Sequence, residues 1–200
     1  MPAVREPYEK VLESWGKIKE FLFASDDLSD TQKENLRTLI EHLENDTEFL
    51  TAYCSTHYHC SYEGGLLEHT IHVCNTIMRV KRVLAPEYSD AQVVLVALFH
   101  DIGKYCQYAR KEPTEKQKKY GYPGSMGINT QCAYMNHEDR SLWFVSQYYQ
   151  LSEEEYAAIA FHNYLFRSDD SAYFNCSKLA WLLAIADGWA CTFLDEPGAY

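Results

Sequence analysis

Apolar residues recur every three or four positions along most of the chain, the spacing at which side chains share one face of an α-helix. The N-terminal part contains two such segments, which predict helices over 8–24 and 31–44, with the polar sequence SDDLSD between them. A third segment begins at the glycine pair 64–65, runs to about Leu84 and is ended by Pro86. The first half of the chain is therefore predicted to be mainly helical.

The apolar run VVLVALF at 93–99 predicts a buried helix, preceded by Ser89 and Gln92 at the spacing of a capping box. The run leads directly into His100 and Asp101, two groups that are costly to bury without a partner. A buried helix has no packing reason to end on such a pair. The sequence thus raises the question of what these two side chains bind at the inner end of the helix.

The stretch 106–135 lacks clean periodicity and contains two prolines and three glycines. It predicts a long loop, with room for a short hairpin, and a loop of this length inside a compact domain is usually functional. Helical patterns resume at about 137–150, 152–163 and 176–194. We therefore expect an all-α fold in one domain of residues 1–200, with the core motifs in 50–195 and a helical extension in 1–49.

Composition and charge narrow the function classes. The chain has 200 residues, is 46% apolar, and carries 18 basic against 29 acidic residues, a net charge of −11. This balance provides no basic footprint for duplex nucleic acid or an anionic membrane, whereas metals and small phosphorylated molecules remain open. The first residues show no signal peptide, and the seven cysteines form no C-x-x-C pair. We expect a cytoplasmic protein with reduced thiols.

Ionisable side chains stand at the ends of the apolar helices. Among eight histidines, His69 lies near the start of a predicted helix, His137 heads another, and His100 and His162 each close an apolar segment. The most apolar helix, LAWLLAIADGWA, contains Asp187. Buried ionisable groups need partners, and a shared cation would satisfy all of these together. Imidazole with carboxylate suits Mn, Fe, Co, Ni or Zn, whereas an all-oxygen set would suit Mg or Ca.

The order of these residues resembles a known family. His69 lies in GGLLEHT, His100 and Asp101 lie in ALFHDIGK, and Asp187 follows, as in the HD-domain superfamily of metal-dependent phosphohydrolases. The resemblance covers roughly residues 50–195 and is closest to small stand-alone HD proteins of bacteria and phages. It implies an HD-domain helical bundle with a metal site at its centre.

The resemblance also implies two divalent transition metals. His137 and His162 match the two additional histidines of the binuclear HD subgroup, so that Asp101 would bridge two sites. Two such cations can clamp a phosphoryl group and acidify a bridging water, which then serves as the nucleophile. The implied ligand set is His69, His100, Asp101, His137, His162 and Asp187.

One branch of that subgroup, the HD-GYP proteins, fits less well. Its members carry a doubled histidine at the later position, whereas here His162 is followed by Asn163. A Gly-Tyr-Pro sequence does occur at 121–123, but it precedes His137, and we interpret it as a coincidence. The departure argues against a cyclic-dinucleotide phosphodiesterase.

Three further side chains are candidates for contact with substrate. Lys104 follows His100 by one turn and is predicted to meet a phosphate oxygen or the developing charge, a catalytic role shared with Asp101. Arg140 follows His137 by one turn and is predicted to bind the substrate from the opposite side. His59, which precedes the double glycine, is predicted to touch the substrate or a metal-bound water. His42 and His72 are interpreted as structural.

The sequence favours hydrolysis of a phosphate ester or anhydride, in a nucleotide or another small phosphorylated molecule. Two alternatives remain open at this point. A mixed-valence di-iron oxygenase of the HD fold would use a similar ligand set, and a non-catalytic sensor would use the pocket to bind a metal or a nucleotide. Oxygen dependence separates the first alternative from a hydrolase, and the presence of all six ligands argues against the second.

Overall fold

The computed structural model describes residues 6–112, 115–119, 125–164 and 176–195, and these are predominantly helical, as predicted. The α-helices are α1 (Tyr8–Ala24), α2 (Asp30–Asp46), α3 (Gly65–Leu84), α4 (Asp90–Phe99), α5 (Glu115–Lys119), α6 (His137–Val145), α7 (Glu153–Phe161) and α8 (Lys178–Trp189). A 3-10 helix, Ile102–Cys106, follows α4, and a π-helix, Ala190–Leu194, continues α8. Within these residues, no helix is long and apolar enough to cross a membrane.

Side-chain caps fix where several helices begin. Ser152 forms a capping box with Glu155 at the start of α7, and Ser29 forms one with Gln32 at the start of α2. At α4, the Ser89 hydroxyl accepts a hydrogen bond from the backbone N–H of Gln92. These caps satisfy amide groups that have no partner within the helix.

Helix α4 forms the centre of the core. All its residues from Val93 to Phe99 are buried, and it packs against α3, α7 and α8. Helix α3 packs against both α4 and α8, so these three helices bring their side chains to a common interior. The C-terminal end of α4 therefore lies inside the bundle, where His100 and Asp101 follow it with 0% and 1% of their surface exposed.

The predicted loop 106–135 contains a small hairpin. Strand β1 (Tyr108–Lys111) pairs antiparallel with β2 (Ser125–Ile128), and Tyr108 lies opposite Ile128. Residues 113–114 and 120–124, which include the Gly-Tyr-Pro sequence, lie outside the described residues. Helix α6 is shorter than predicted, because it ends at Val145 and three turn residues follow it.

Candidate metal centre

Four donor atoms meet where α3, α4 and α8 converge. His69 Nε2 lies 3.2 Å from His100 Nε2, 3.4 Å from Asp101 Oδ2 and 3.3 Å from Asp187 Oδ1. His100 Nε2 is 3.4 Å from Asp101 Oδ2 and 4.0 Å from Asp187 Oδ1. Ligand atoms about 2.0–2.2 Å from one cation stand about 3–3.6 Å apart at tetrahedral or octahedral angles. Four of these five separations fit a common cation, and the one between His100 and Asp187, at 4.0 Å, is slightly wider. We refer to these four residues as the first donor group.

A second donor group lies on the other side of Asp101. It consists of His137 and His162 together with the other carboxylate oxygen of Asp101. Asp101 Oδ1 is 3.4 Å from His137 Nε2 and 3.9 Å from His162 Nε2. Asp101 Oδ1 is buried and has no hydrogen-bond partner, which is uncommon for a charged oxygen. The two oxygens of one carboxylate thus face two sets of imidazoles, and all six ligands that the sequence resemblance implied are brought together.

Backbone hydrogen bonds orient two of the imidazoles. His100 Nδ1 lies 2.6 Å from the carbonyl oxygen of Ala97, and His162 Nδ1 lies 2.7 Å from that of Ile159. A carbonyl accepts only, so each Nδ1 carries a proton, and in a neutral ring of this tautomer Nε2 has the lone pair. Both histidines are the residues that end their helices, where the ring can reach the last free carbonyls.

Burial keeps one histidine of each donor group neutral at pH 7. It lowers the pKa of His100 to about 4 and that of His137 to about 3. Burial also disfavours a charged His69, and the Cys54 thiol beside it is neutral because burial raises its pKa to about 11. The carboxylates of Asp195 and Asp101 nevertheless hold the pKa of His69 well above its ordinary value.

Asp195, which the sequence did not single out, holds His69 in place. One of its oxygens accepts a hydrogen bond from His69 Nδ1 at 2.8 Å, and the other accepts one from His72 Nδ1 at 2.7 Å. A carboxylate that orients a ligand histidine is a recurrent partner in metal sites. His72, interpreted as structural, thus contacts the centre indirectly, through this carboxylate.

The predicted substrate contacts lie around the same centre. Lys104 Nζ donates to Asp101 Oδ2 at 2.5 Å, and this carboxylate holds the pKa of Lys104 well above its ordinary value although burial works against it. The Arg140 guanidinium donates to the carbonyl oxygen of Ala133 at 2.6 Å, while its Nε is buried without a partner. Both side chains line a cavity of about 700 Å³.

His59 also lines the cavity, but its ring is held by thiols. Its Nε2 lies 3.3 Å from Cys54 Sγ and 3.4 Å from Cys191 Sγ, and its ring centroid is 5.0 Å from that of His69. Burial lowers the pKa of His59 to about 4, so the ring is neutral at pH 7. Cys191 in turn donates to Asp187 Oδ1 at 3.3 Å.

The cavity borders the second donor group at His137. His137, Glu138 and Asn163 contribute to its wall together with Lys104. Its volume is within the range of sites that take small molecules. Several tyrosines, among them Tyr58, Tyr108 and Tyr134, line it as well. The arrangement can therefore place a small ligand against the donor groups.

Comparison with known proteins gives one partial likeness. Over 65 residues the chain is 40% identical to the dihydroneopterin 2′,3′-cyclic phosphate phosphodiesterase of Methanocaldococcus jannaschii. The match covers 30% of this chain and 26% of that enzyme, so only about a quarter of the relative's length is spanned. No protein-family model matches the chain, and no solved structure matches it.

Proposed function

We propose that the protein is an HD-type phosphohydrolase that hydrolyses a phosphoester with two divalent transition metals. The observation that supports this most strongly is the position of Asp101. Its Oδ2 lies beside His69 of the first donor group. Its Oδ1, which is buried and has no hydrogen-bond partner, lies beside His137 of the second donor group. A buried carboxylate oxygen in this state is costly unless a cation compensates it.

The donor sets fit transition metals. His69, His100 and Asp187 with Asp101 would hold one cation, and His137 and His162 with the other Asp101 oxygen would hold a second. Mixed imidazole and carboxylate ligands suit Mn, Fe, Co, Ni or Zn. When bound, a pair of such cations supplies an acidified water and positive charge for a phosphoryl group.

The remaining side chains support binding of an anion beside these ligands. Lys104 presents a charged ammonium at the cavity wall, next to Asp101, and would stabilise charge that develops on a phosphoryl oxygen. Arg140, which also lines the cavity, would bind a second oxygen or the rest of the substrate. His59, neutral and packed on His69, would border the reacting group and would orient the substrate.

The substrate class follows from the cavity and from the partial relative. A cavity of about 700 Å³ suits a nucleotide-sized molecule, and the matched enzyme is named for a cyclic phosphate diester of a heterocyclic compound. We therefore propose a small phosphodiester, such as a nucleoside cyclic phosphate, as the substrate. The Tyr134 and Tyr58 rings, 89% and 69% exposed, are available to pack against a planar base.

The experiment that tests the function is a hydrolysis assay of metal-depleted protein. A panel of nucleoside 2′,3′-cyclic phosphates and a chromogenic phosphodiester would be incubated without oxygen, before and after Mn²⁺ or Co²⁺ is restored. We expect no turnover after chelation and recovery on addition of either ion. Turnover that requires oxygen, or that persists in chelator, would rule out the proposed hydrolase.

A further inference from the structure

Two polar side chains beside the second donor group have no role in the function proposed above. Glu138 follows His137 in the first turn of α6 and is 4% exposed. Asn163 follows His162 just beyond the end of α7. Both contribute to the cavity wall.

The amide nitrogen of Asn163 lies where three acceptor atoms converge. It is 2.6 Å from His137 Nε2, 3.1 Å from His162 Nε2 and 2.9 Å from Glu138 Oε1. A carboxamide nitrogen has only two hydrogens, so it cannot serve all three acceptors at once. Three acceptors arranged around one point are the surroundings that a cation requires.

Glu138 is a buried carboxylate that no basic side chain neutralises. No lysine or arginine of the described residues lies within 4 Å of the Glu138 oxygens, whose polar neighbours are the Asn163 amide at 2.9 Å and His137 Nε2 at 3.3 Å. A buried carboxylate without a cationic partner is costly. A cation between Glu138, His137 and His162 would remove that cost.

We propose that Glu138 is a ligand of the second cation, and that the Asn163 carboxamide occupies the same position as that cation and must leave when it binds. The proposal rests on the binuclear function proposed above. It gives each cation two imidazoles and two carboxylates, with Asp101 shared between them. The second site then equals the first in charge and donor type, and both suit the same metals.

The decisive comparison is between two neighbouring acidic residues. Glu138→Gln removes the charge and keeps the shape, whereas Asp139→Asn makes the same change on the exposed side of the same turn. Mn²⁺ would be titrated calorimetrically into metal-free protein, and bound metal would be counted by elemental analysis. We expect Glu138→Gln to weaken the second equivalent at least about tenfold and to leave the first unchanged, while Asp139→Asn binds both normally.

A second variant separates the role of Glu138 as a ligand from the displacement of the Asn163 carboxamide. Asn163→Ala removes the competing amide, so the second equivalent should bind at least as tightly as in the native protein. If it binds as weakly as in Glu138→Gln, Asn163 is itself a ligand and the displacement is wrong. If Glu138→Gln fails to fold, Glu138→Asp, which keeps the charge but withdraws it, should show the same loss of the second equivalent.

The outcomes also distinguish this proposal from the one on which it rests. Native protein that binds a single Mn²⁺ ion would refute the binuclear function itself. Native protein that binds two ions, with Glu138→Gln indistinguishable from Asp139→Asn, would refute only the role of Glu138 and leave the function standing.

Discussion

Asp195 allows a sharp test of how the centre is held, because its two oxygens bind two different histidines. In the native protein the two carboxylate oxygens of Asp195 accept hydrogen bonds from His69 Nδ1 at 2.8 Å and from His72 Nδ1 at 2.7 Å. Asp195→Asn keeps the size of this side chain but removes its negative charge. Hydrogen bonds to charged groups contribute about 1.5–3 kcal/mol each, although two bonds to one carboxylate do not add fully. We expect metal-free Asp195→Asn to lose about 2–4 kcal/mol of unfolding free energy.

The same change should weaken metal binding. A carboxylate that orients a ligand histidine is worth about 10–100-fold in metal affinity. Asp195→Asn should therefore lower the affinity of the first donor group, which contains His69, and leave that of the second group nearly unchanged. Urea unfolding of the metal-free proteins and calorimetric titration with Mn²⁺ measure the two effects separately.

His72→Gln is the matched control. It removes one of the two bonds to Asp195 but leaves the bond to His69 in place. It should cost less than about 1.5 kcal/mol and change metal affinity little. Equal losses of metal affinity in the two variants, or normal affinity in Asp195→Asn, would mean that Asp195 supports the fold without orienting His69.

The difference in unfolding free energy between the native protein and Asp195→Asn should depend on pH. Burial raises the pKa of Asp195, but the positive charge of His69 and the hydrogen bonds from His69 and His72 together hold that pKa below its ordinary value. A depressed carboxyl pKa stabilises the fold above the pKa of the unfolded chain, about 4, and that contribution is lost as the pH falls further. Native protein should thus exceed Asp195→Asn in stability by the full amount at pH 7 and by less below about pH 4.

Three further outcomes follow from the site. Gly103→Ala should lower the free energy of unfolding in urea by about 1–3 kcal/mol, because the new Cβ would lie 2.5 Å from the backbone nitrogen of Ser141 and 2.6 Å from the carbonyl oxygen of His137. Gly16→Ala is the control and should not destabilise the protein, because no atom lies within 4 Å of a Cβ at that position. Lys104→Ala should retain bound metal by elemental analysis while turnover falls about 10²–10³-fold; loss of metal would instead make Lys104 structural. The buried rings of His59, His100 and His137 have lowered pKa values, so they stay neutral at a pH where the same histidines take up protons in the unfolded chain. The unfolding free energy of the metal-free protein should therefore fall by about 1 kcal/mol per histidine between pH 6 and pH 5. Equal stability at the two pH values would contradict the lowered pKa values.

Much of this centre could be predicted because buried charge conflicts with an apolar helix. The run before His100 and Asp101 is buried throughout, so a polar pair at its inner end requires a partner. The same reasoning applies to Asp187 in α8 and to His162 at the end of α7. Helical spacing predicted α3, and apolar runs predicted α4 and α8; these three helices bring the groups to one place.

The residues that the sequence did not reveal lie beside predicted ligands or after the last regular turn. Asp195 follows a π-helix, whose wider turn rotates the chain differently from an α-helix, so helical spacing does not indicate that it returns to His69. Glu138 shares a turn with exposed Asp139, and an acidic pair at a helix start ordinarily indicates a solvated first turn. Which of two adjacent acids faces inward depends on the packing of α6 against its neighbours.

The central claim is that Asp101 joins two cation sites, and counting bound metal tests it most directly. Protein reconstituted with Mn²⁺ and freed of excess ion would be analysed for metal per chain, together with His137→Ala, His162→Ala and Asp101→Asn. We expect close to two ions in the native protein, close to one in each histidine variant, and fewer in Asp101→Asn than in either. One ion per native chain, unchanged by replacement of His137 or His162, would contradict the account.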